Sequence, residues 1–268
     1  MRQLRGWLGV LPLAAIFGIV AAAPWLVPYD PAAMDPAASM LPPGVAHWMG
    51  TDVFGRDLLS RVLMAGRPAL GIALATTAIC ALLGIPLGIV AALRGGWTDF
   101  LLMRVLEIGF AIPPLVLGVA ILGTLGPGLG NVVLALAVCF TPLLARIARG
   151  AALARQNELF VLAGRAAGAT EAGIMFRIVL PNIAGTLVTQ TALVFSYALL
   201  AEASLSFLGL GTQPDDPSWG RLLTDTIPMT AIAPWLGVFP GLAIVVVVML
   251  LNLQADAFGD AVDPRTRR

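Results

Sequence analysis

The sequence is poor in charge. Only 12% of its 268 residues are Asp, Glu, Lys or Arg, against roughly 25% in soluble domains. It has no lysine, so all 16 basic residues are arginine, and a formal net charge of +1 leaves no basic surplus to neutralise a phosphate backbone. That argues against nucleic acid as a partner. Cysteine and histidine are almost missing too. Cys80 and Cys139 fall inside apolar runs, where a thiol behaves as a small buried hydrophobe, and the single His47 has no ligand residues near it in sequence. Neither a disulfide nor a metal site is expected. The chain also lacks GxxxxGK[ST], GxSxG and HExxH, which argues against a nucleotide-cradling loop and the common hydrolytic centres.

What is abundant is apolar sequence, at 59% of the chain. It gathers into runs at 7–27, 68–93, 101–125, 131–148, 183–208 and 231–253, each near the roughly 20 residues that cross a bilayer. The expected fold class is therefore an all-α polytopic membrane protein with six transmembrane helices. The first run follows Arg2 and Arg5 as a signal peptide would, but its length and the absence of a small-x-small site near Pro24-Trp25 favour a retained helix. Pro113-Pro114 and Pro240 read as kinks rather than ends, since neighbouring helices can satisfy the freed carbonyls. Gly84 and Gly88 form a GxxxG helix-packing device.

Arginine placement sets the orientation, because cytoplasmic loops near spans retain positive charge. With both termini inside, Arg2, Arg5, Arg94, Arg104, Arg146, Arg149, Arg155, Arg165, Arg177, Arg265, Arg267 and Arg268 are cytoplasmic. Arg56, Arg61, Arg67 and Arg221 are then external. The chain divides into 1–67, the first span and an external segment, then 68–255, five spans with a cytoplasmic loop at 150–182, and a cytoplasmic tail at 256–268. The external segments 28–67 and 209–230, the second carrying QPDDPSWG, hold more acids than arginines. That balance suits a docking surface for an extracytoplasmic protein, and equally a merely solvated loop.

The cytoplasmic loop reads as a helix over 158–167, a break at Gly168, and a second short helix capped by Thr170 and begun by Glu171. Ile174, Met175 and Ile178 give that helix an apolar face, flanked by Arg165 and Arg177, which suits a partner's groove or a membrane interface. Gly168 is followed after nine residues by Ile178-Val179-Leu180-Pro181. This spacing resembles the EAA signature of ABC importer permeases, although Leu162, Ala163 and Gly164 stand where the EAA triplet would be. The resemblance implies a type I importer permease fold with a cytoplasmic coupling helix. By the same resemblance Ala163, Gly168, Ala169, Thr170, Glu171, Ile174, Met175, Ile178, Leu180 and Pro181 couple the chain to an ATPase subunit.

Four further stretches are similar to the dipeptide, oligopeptide and nickel branch of that family: MGTDVFGRDLLSRVLMAGRPAL at 49–70, LGPGLGN at 125–131, ARIARG at 145–150, and EASLSFLGLG at 202–211 followed by PSWG. They imply the C-type permease of a two-permease heterodimer in a bacterial inner membrane, with two ATP-binding subunits and an extracytoplasmic binding protein. On this reading the chain carries no cofactor, ATP and Mg belong to the partner subunits, and peptides, nickel or another small solute are moved without covalent chemistry. An ion-coupled secondary transporter, with its own site at broken helices, is the alternative from another class.

Two carboxylates near spans require an explanation, because an ionised group there is costly unless paired or solvated. Glu107 lies three residues after Arg104, placed to pair on one helix face. Glu202 has no basic neighbour in sequence. It either faces the translocation pathway or bonds to backbone or to a partner permease.

Overall fold

The structure, a computed structural model, describes residues 2–211, 217–229 and 231–262, with side chains described over 11–211, 217–229 and 231–255. The QPDD stretch at 213–216 and the tail at 263–268 lie outside the described residues. Among those described there is no strand, only one isolated antiparallel bridge between Thr51 and Asp57. The helices are α1 Arg2–Ala21, α2 Ala23–Leu26, α3 Leu58–Arg94, α4 Gly96–Ile108, α5 Pro114–Leu125 and α6 Leu129–Leu153. They continue with α7 Leu159–Ala166, α8 Glu171–Gly173, a π-helical turn Ile174–Val179, α9 Leu180–Phe207, α10 Trp219–Thr226 and α11 Trp235–Val262.

Among the described residues four helical stretches are long and apolar enough to cross a membrane: Leu58–Arg94, Leu129–Leu153, Glu171–Phe207 and Trp235–Ala255. The part of α1 whose side chains are described, Leu11–Ala21, and the separate helix Pro114–Leu125 are apolar but shorter. The third apolar run is not one kinked helix. It ends at Ile108 and restarts at Pro114, because Pro113 precedes a proline and is held extended at φ −53, ψ 135, outside the helical basin. Pro240, by contrast, lies within continuous α11, as does Pro68 within α3. Helix α3 begins ten residues before the apolar run it contains, so it passes through position 67/68 without a break. Its first turn is capped by Asp57, whose Oδ2 accepts from the Ser60 amide at 2.8 Å.

The main core is built where α3, α6, α9 and α11 meet, around residues such as Leu70, Leu136, Leu144, Leu199 and Val247. The closest crossing is α3 on α6. A Cβ at Gly88 would stand 2.1 Å from the Ala145 carbonyl oxygen, and one at Gly84 would stand 2.9 Å from that of Thr141. The GxxxG thus lets two backbones touch, which is how helices gain packing energy when lipid offers no hydrophobic driving force between them. A second, smaller core joins Ile89 and Ala92 of α3 to Ala148 and Ala152 of α6, and it holds the 150–182 loop.

Candidate functional site

The loop folds as the helical hairpin expected from its spacing. Helix α7 ends at Ala166, the chain reverses at Gly168 with φ +78, and Thr170 Oγ1 accepts from the Gly173 amide at 3.1 Å. A positive φ is a region that glycine enters without the Cβ penalty. No atom lies within 4 Å of where a Gly168 Cβ would stand, so the requirement there is one of backbone conformation alone.

The second arm is not a separate short helix. The chain runs from Glu171 through the π turn into α9 and on to Phe207, a stretch of 37 residues. The wide turn ends at Val179, two residues before Pro181, and the Leu180 amide bonds to the Met175 carbonyl, five residues back. Pro181 has no N–H to give, and its ring would press on a carbonyl four residues earlier in a regular helix. Widening the preceding turn relieves both, and such π turns recur at functional sites.

The expected apolar docking face needs correction. Ile174 is buried, and Met175 and Ile178 are half-buried, because this face packs on the chain's own second core with Val161, Val179 and Ile183. What the hairpin leaves exposed is its tip, Arg165 to Ala172, together with Glu158, Leu159, Leu162, Ala163, Phe176, Arg177 and Pro181. Of the residues singled out from sequence, Ala163, Gly168, Ala169, Thr170 and Glu171 therefore lie on or beside the open tip. Ile174, Met175, Ile178 and Leu180 instead hold the hairpin to the spans. The residue at the last EAA position also has a packing reason, since a Cβ on Gly164 would come within 2.4 Å of Ile178 Cδ1.

Glu202 is enclosed by the chain itself, with 0% of its surface exposed. Its Oε1 accepts from Ser206 Oγ, one turn along α9, at 2.7 Å, and its Oε2 has no hydrogen-bond partner among the described residues. Within the chain, the bond to this carboxylate comes from a serine hydroxyl rather than from backbone. The neighbouring short helix α10 is docked by Trp219, whose Nε1 donates to the Val62 carbonyl at 2.9 Å. Glu107 pairs with Arg104 at 3.3 Å, as their spacing predicts.

The GTDVFGRD stretch proves to be a folded carboxylate hub. Asp52 accepts from the Phe54 and Arg56 amides at 2.8 and 2.9 Å, from Arg56 Nε at 2.6 Å, and from Arg61. His47, which has no ligand residues near it in sequence, has its Nδ1 2.9 Å from Asp57 Oδ1 and its ring against Tyr29. No cluster of three or more metal-ligating side chains occurs among the described residues. A second pair missed in the sequence joins α4 to α6: Arg149 forks onto both Asp99 oxygens.

Residues 84–268 match the family model described as binding-protein-dependent transport system inner membrane component. The chain is 40% identical over 265 residues to the di/tripeptide transport system permease protein DppC of Pseudomonas aeruginosa, covering 97% of this chain and 88% of that one. It is 34% identical to the dipeptide transport system permease protein DppC of Alkalihalophilus pseudofirmus, over 97% and 85% of the two chains. It is 35% identical to the glutathione transport system permease protein GsiD of Escherichia coli O6:K15:H31, over 96% and 84%. A chain of the inward-facing MetNI methionine ABC transporter superposes with a TM-score of 0.65 at 20% identity, covering 76% of this chain and 97% of that one. At that identity the superposition speaks for the fold alone.

Proposed function

The chain belongs to the binding-protein-dependent inner-membrane components, the permeases of ABC importers, and from that premise we propose that it is the C-type permease of a peptide importer. It pairs with a second, homologous permease, takes substrate from an extracytoplasmic binding protein, and is driven by two ATP-binding subunits that carry ATP and Mg. The substrate class follows from the relatives named for dipeptides, di/tripeptides and glutathione, all short amide-bearing solutes.

Six crossings, with both termini cytoplasmic, suit the sequence and the helices together. The four long helices provide four, α1 the fifth, and the broken pair α4 and α5 the sixth. The arginine-rich loops then lie inside.

One observation carries the mechanism: an exposed hairpin tip is rigidly continuous with a span. The tip at 165–172 is open, while Val161, Ile174 and Val179 fix its two arms to α3 and α6. From Glu171 the backbone continues without a break to Phe207, about 55 Å at 1.5 Å per residue. A partner seated on the tip would move a lever that reaches the far side of the membrane. Closure of the ATPase pair would press on this tip, and α9 with the elements packed on it would tilt, opening the pathway to one side and closing it to the other. Because the hairpin's apolar side faces inward, the contact with the ATPase would be made by Leu159, Leu162, Ala163 and the 165–172 tip.

Reconstitution with subunit omission tests this reading. Uptake of a labelled dipeptide into vesicles should require both permeases, both ATPase subunits and the binding protein, and the isolated chain should hydrolyse no ATP. ATPase activity retained by the isolated chain, after mutation of the partner's catalytic site rules out contamination, would refute the subunit assignment.

A further inference from the structure

A cleft of about 380 Å³ opens between α4 and α6 at the arginine-rich end, and three guanidinium groups line it. Two are already answered: Arg149 by Asp99, and Arg104 by Glu107. The third, Arg146, is exposed and makes no ion pair among the described residues. Its contact is with the Phe110 ring, whose centroid is 4.2 Å from the guanidinium carbon. A ring over one face of the guanidinium leaves its in-plane N–H donors free, and these are the donors that match the oxygens of a phosphate.

Beside the cleft, α4 carries an apolar face with nothing on it. Trp97, Leu101, Val105 and Ile108 recur at helical spacing and are 77%, 56%, 66% and 67% exposed. Trp97 is at the end of that face nearest the cytoplasmic turn, where an indole suits the headgroup level of a bilayer. A single uncommitted cation next to an uncovered apolar stripe suits an amphiphilic anion. A free phosphate would gain nothing from the stripe, and a zwitterionic headgroup would bring its own cation against Arg146.

We infer that the α4–α6 cleft binds an anionic phospholipid, with the phosphate on Arg146 and the acyl chains along the Trp97, Leu101, Val105 and Ile108 face. Basic pockets between spans on the cytoplasmic side are the recognised setting for such headgroups. The inference rests on the membrane orientation proposed above, which puts this cleft at the inner surface. The lipid would brace α4 against α6, in parallel with the Asp99–Arg149 pair that already joins them.

Native mass spectrometry of the full chain in detergent, titrated with phosphatidylglycerol, cardiolipin, phosphatidylcholine or inorganic phosphate, tests it. Phosphatidylglycerol and cardiolipin should be retained, and phosphatidylcholine and inorganic phosphate should not. Arg146→Gln should weaken retention about tenfold, equivalent to ~1.4 kcal/mol. Arg146→Lys should retain part of the binding, and Val105→Gln should weaken it with the arginine intact. Unchanged retention in Arg146→Gln, or displacement of lipid by equimolar inorganic phosphate, would overturn the proposal. So would loss of retention in the assembled complex, because a residue of the second permease would then occupy the cleft. Retention in detergent reads neither sidedness nor transport, so its failure is distinguishable from failure of the importer reading.

Discussion

The α3–α6 crossing makes a graded prediction from three glycines of one helix. A methyl at Gly88 would lie 2.1 Å from the Ala145 carbonyl oxygen, 2.8 Å from the Arg149 amide nitrogen and 2.9 Å from Ala148 Cβ. The first of these is about 1.2 Å inside the roughly 3.3 Å lower limit of C···O contact. No rotamer can relieve it, because the obstacle is backbone, so the helices must part along a stretch that includes buried Leu144 and Ala145. Overpacking of this kind typically costs ~1–3 kcal/mol. Gly84→Ala meets Thr141 O at 2.9 Å and should cost less. Gly71→Ala, exposed on the same helix with nothing within 4 Å, is the control and should be neutral or stabilising by up to ~1 kcal/mol through helix propensity. The assay is reversible unfolding of the full chain in mixed micelles, followed by circular dichroism. Stability should fall in the order Gly71→Ala, Gly84→Ala, Gly88→Ala. Equal stability of the three variants would mean that α3 and α6 do not touch backbone to backbone, and the placement of the second core would fall with it.

Further predictions follow from the carboxylate and the topology. If Glu202 is a structural group bonded to Ser206, Glu202→Gln should preserve stability and uptake, whereas Glu202→Ala should lose ~1–3 kcal/mol by leaving buried polar groups unpaired; abolished uptake with normal stability in Glu202→Gln would instead put the carboxylate in the pathway. Reporter fusions after Pro28 and after Gly209 should both report an external location, and a cytoplasmic signal from either would overturn the six-crossing arrangement. Fusion after Gly95, between α3 and α4, should report the cytoplasm.

The features legible in the sequence were those that local chemistry dictates. The Gly168 turn and the Thr170 cap depend on residues within a few positions, and both formed as their types require. The Arg104–Glu107 pair was readable for the same reason, as neighbours on one helix face. Where one apolar surface had to choose among partners, sequence was silent. The face of Ile174 and Ile178 suited a groove on another protein as well as it suited α3 and α6, and only the packing shows that the chain covers it itself. The break at 109–113 does not follow from treating a proline kink as repairable by neighbours, because two consecutive prolines hold the first of them extended. His47 on Asp57, and Arg149 on Asp99, join residues 10 and 50 positions apart and have no local signature.

The central claim is that the hairpin transmits ATPase closure to the spans, and the ratio of substrate uptake to ATP hydrolysed in reconstituted vesicles tests it most directly. Gly168→Val places a β-branched residue at φ +78 with no other atom nearby, so it perturbs the turn and leaves the rest of the chain in contact. Strain of ~1–2 kcal/mol at that one residue should displace the tip from its seat without preventing insertion or assembly. Uptake per ATP should then fall about tenfold, the factor that ~1.4 kcal/mol represents, while the complex still forms and the binding protein still docks. An assembled Gly168→Val complex with the wild-type ratio would contradict the account.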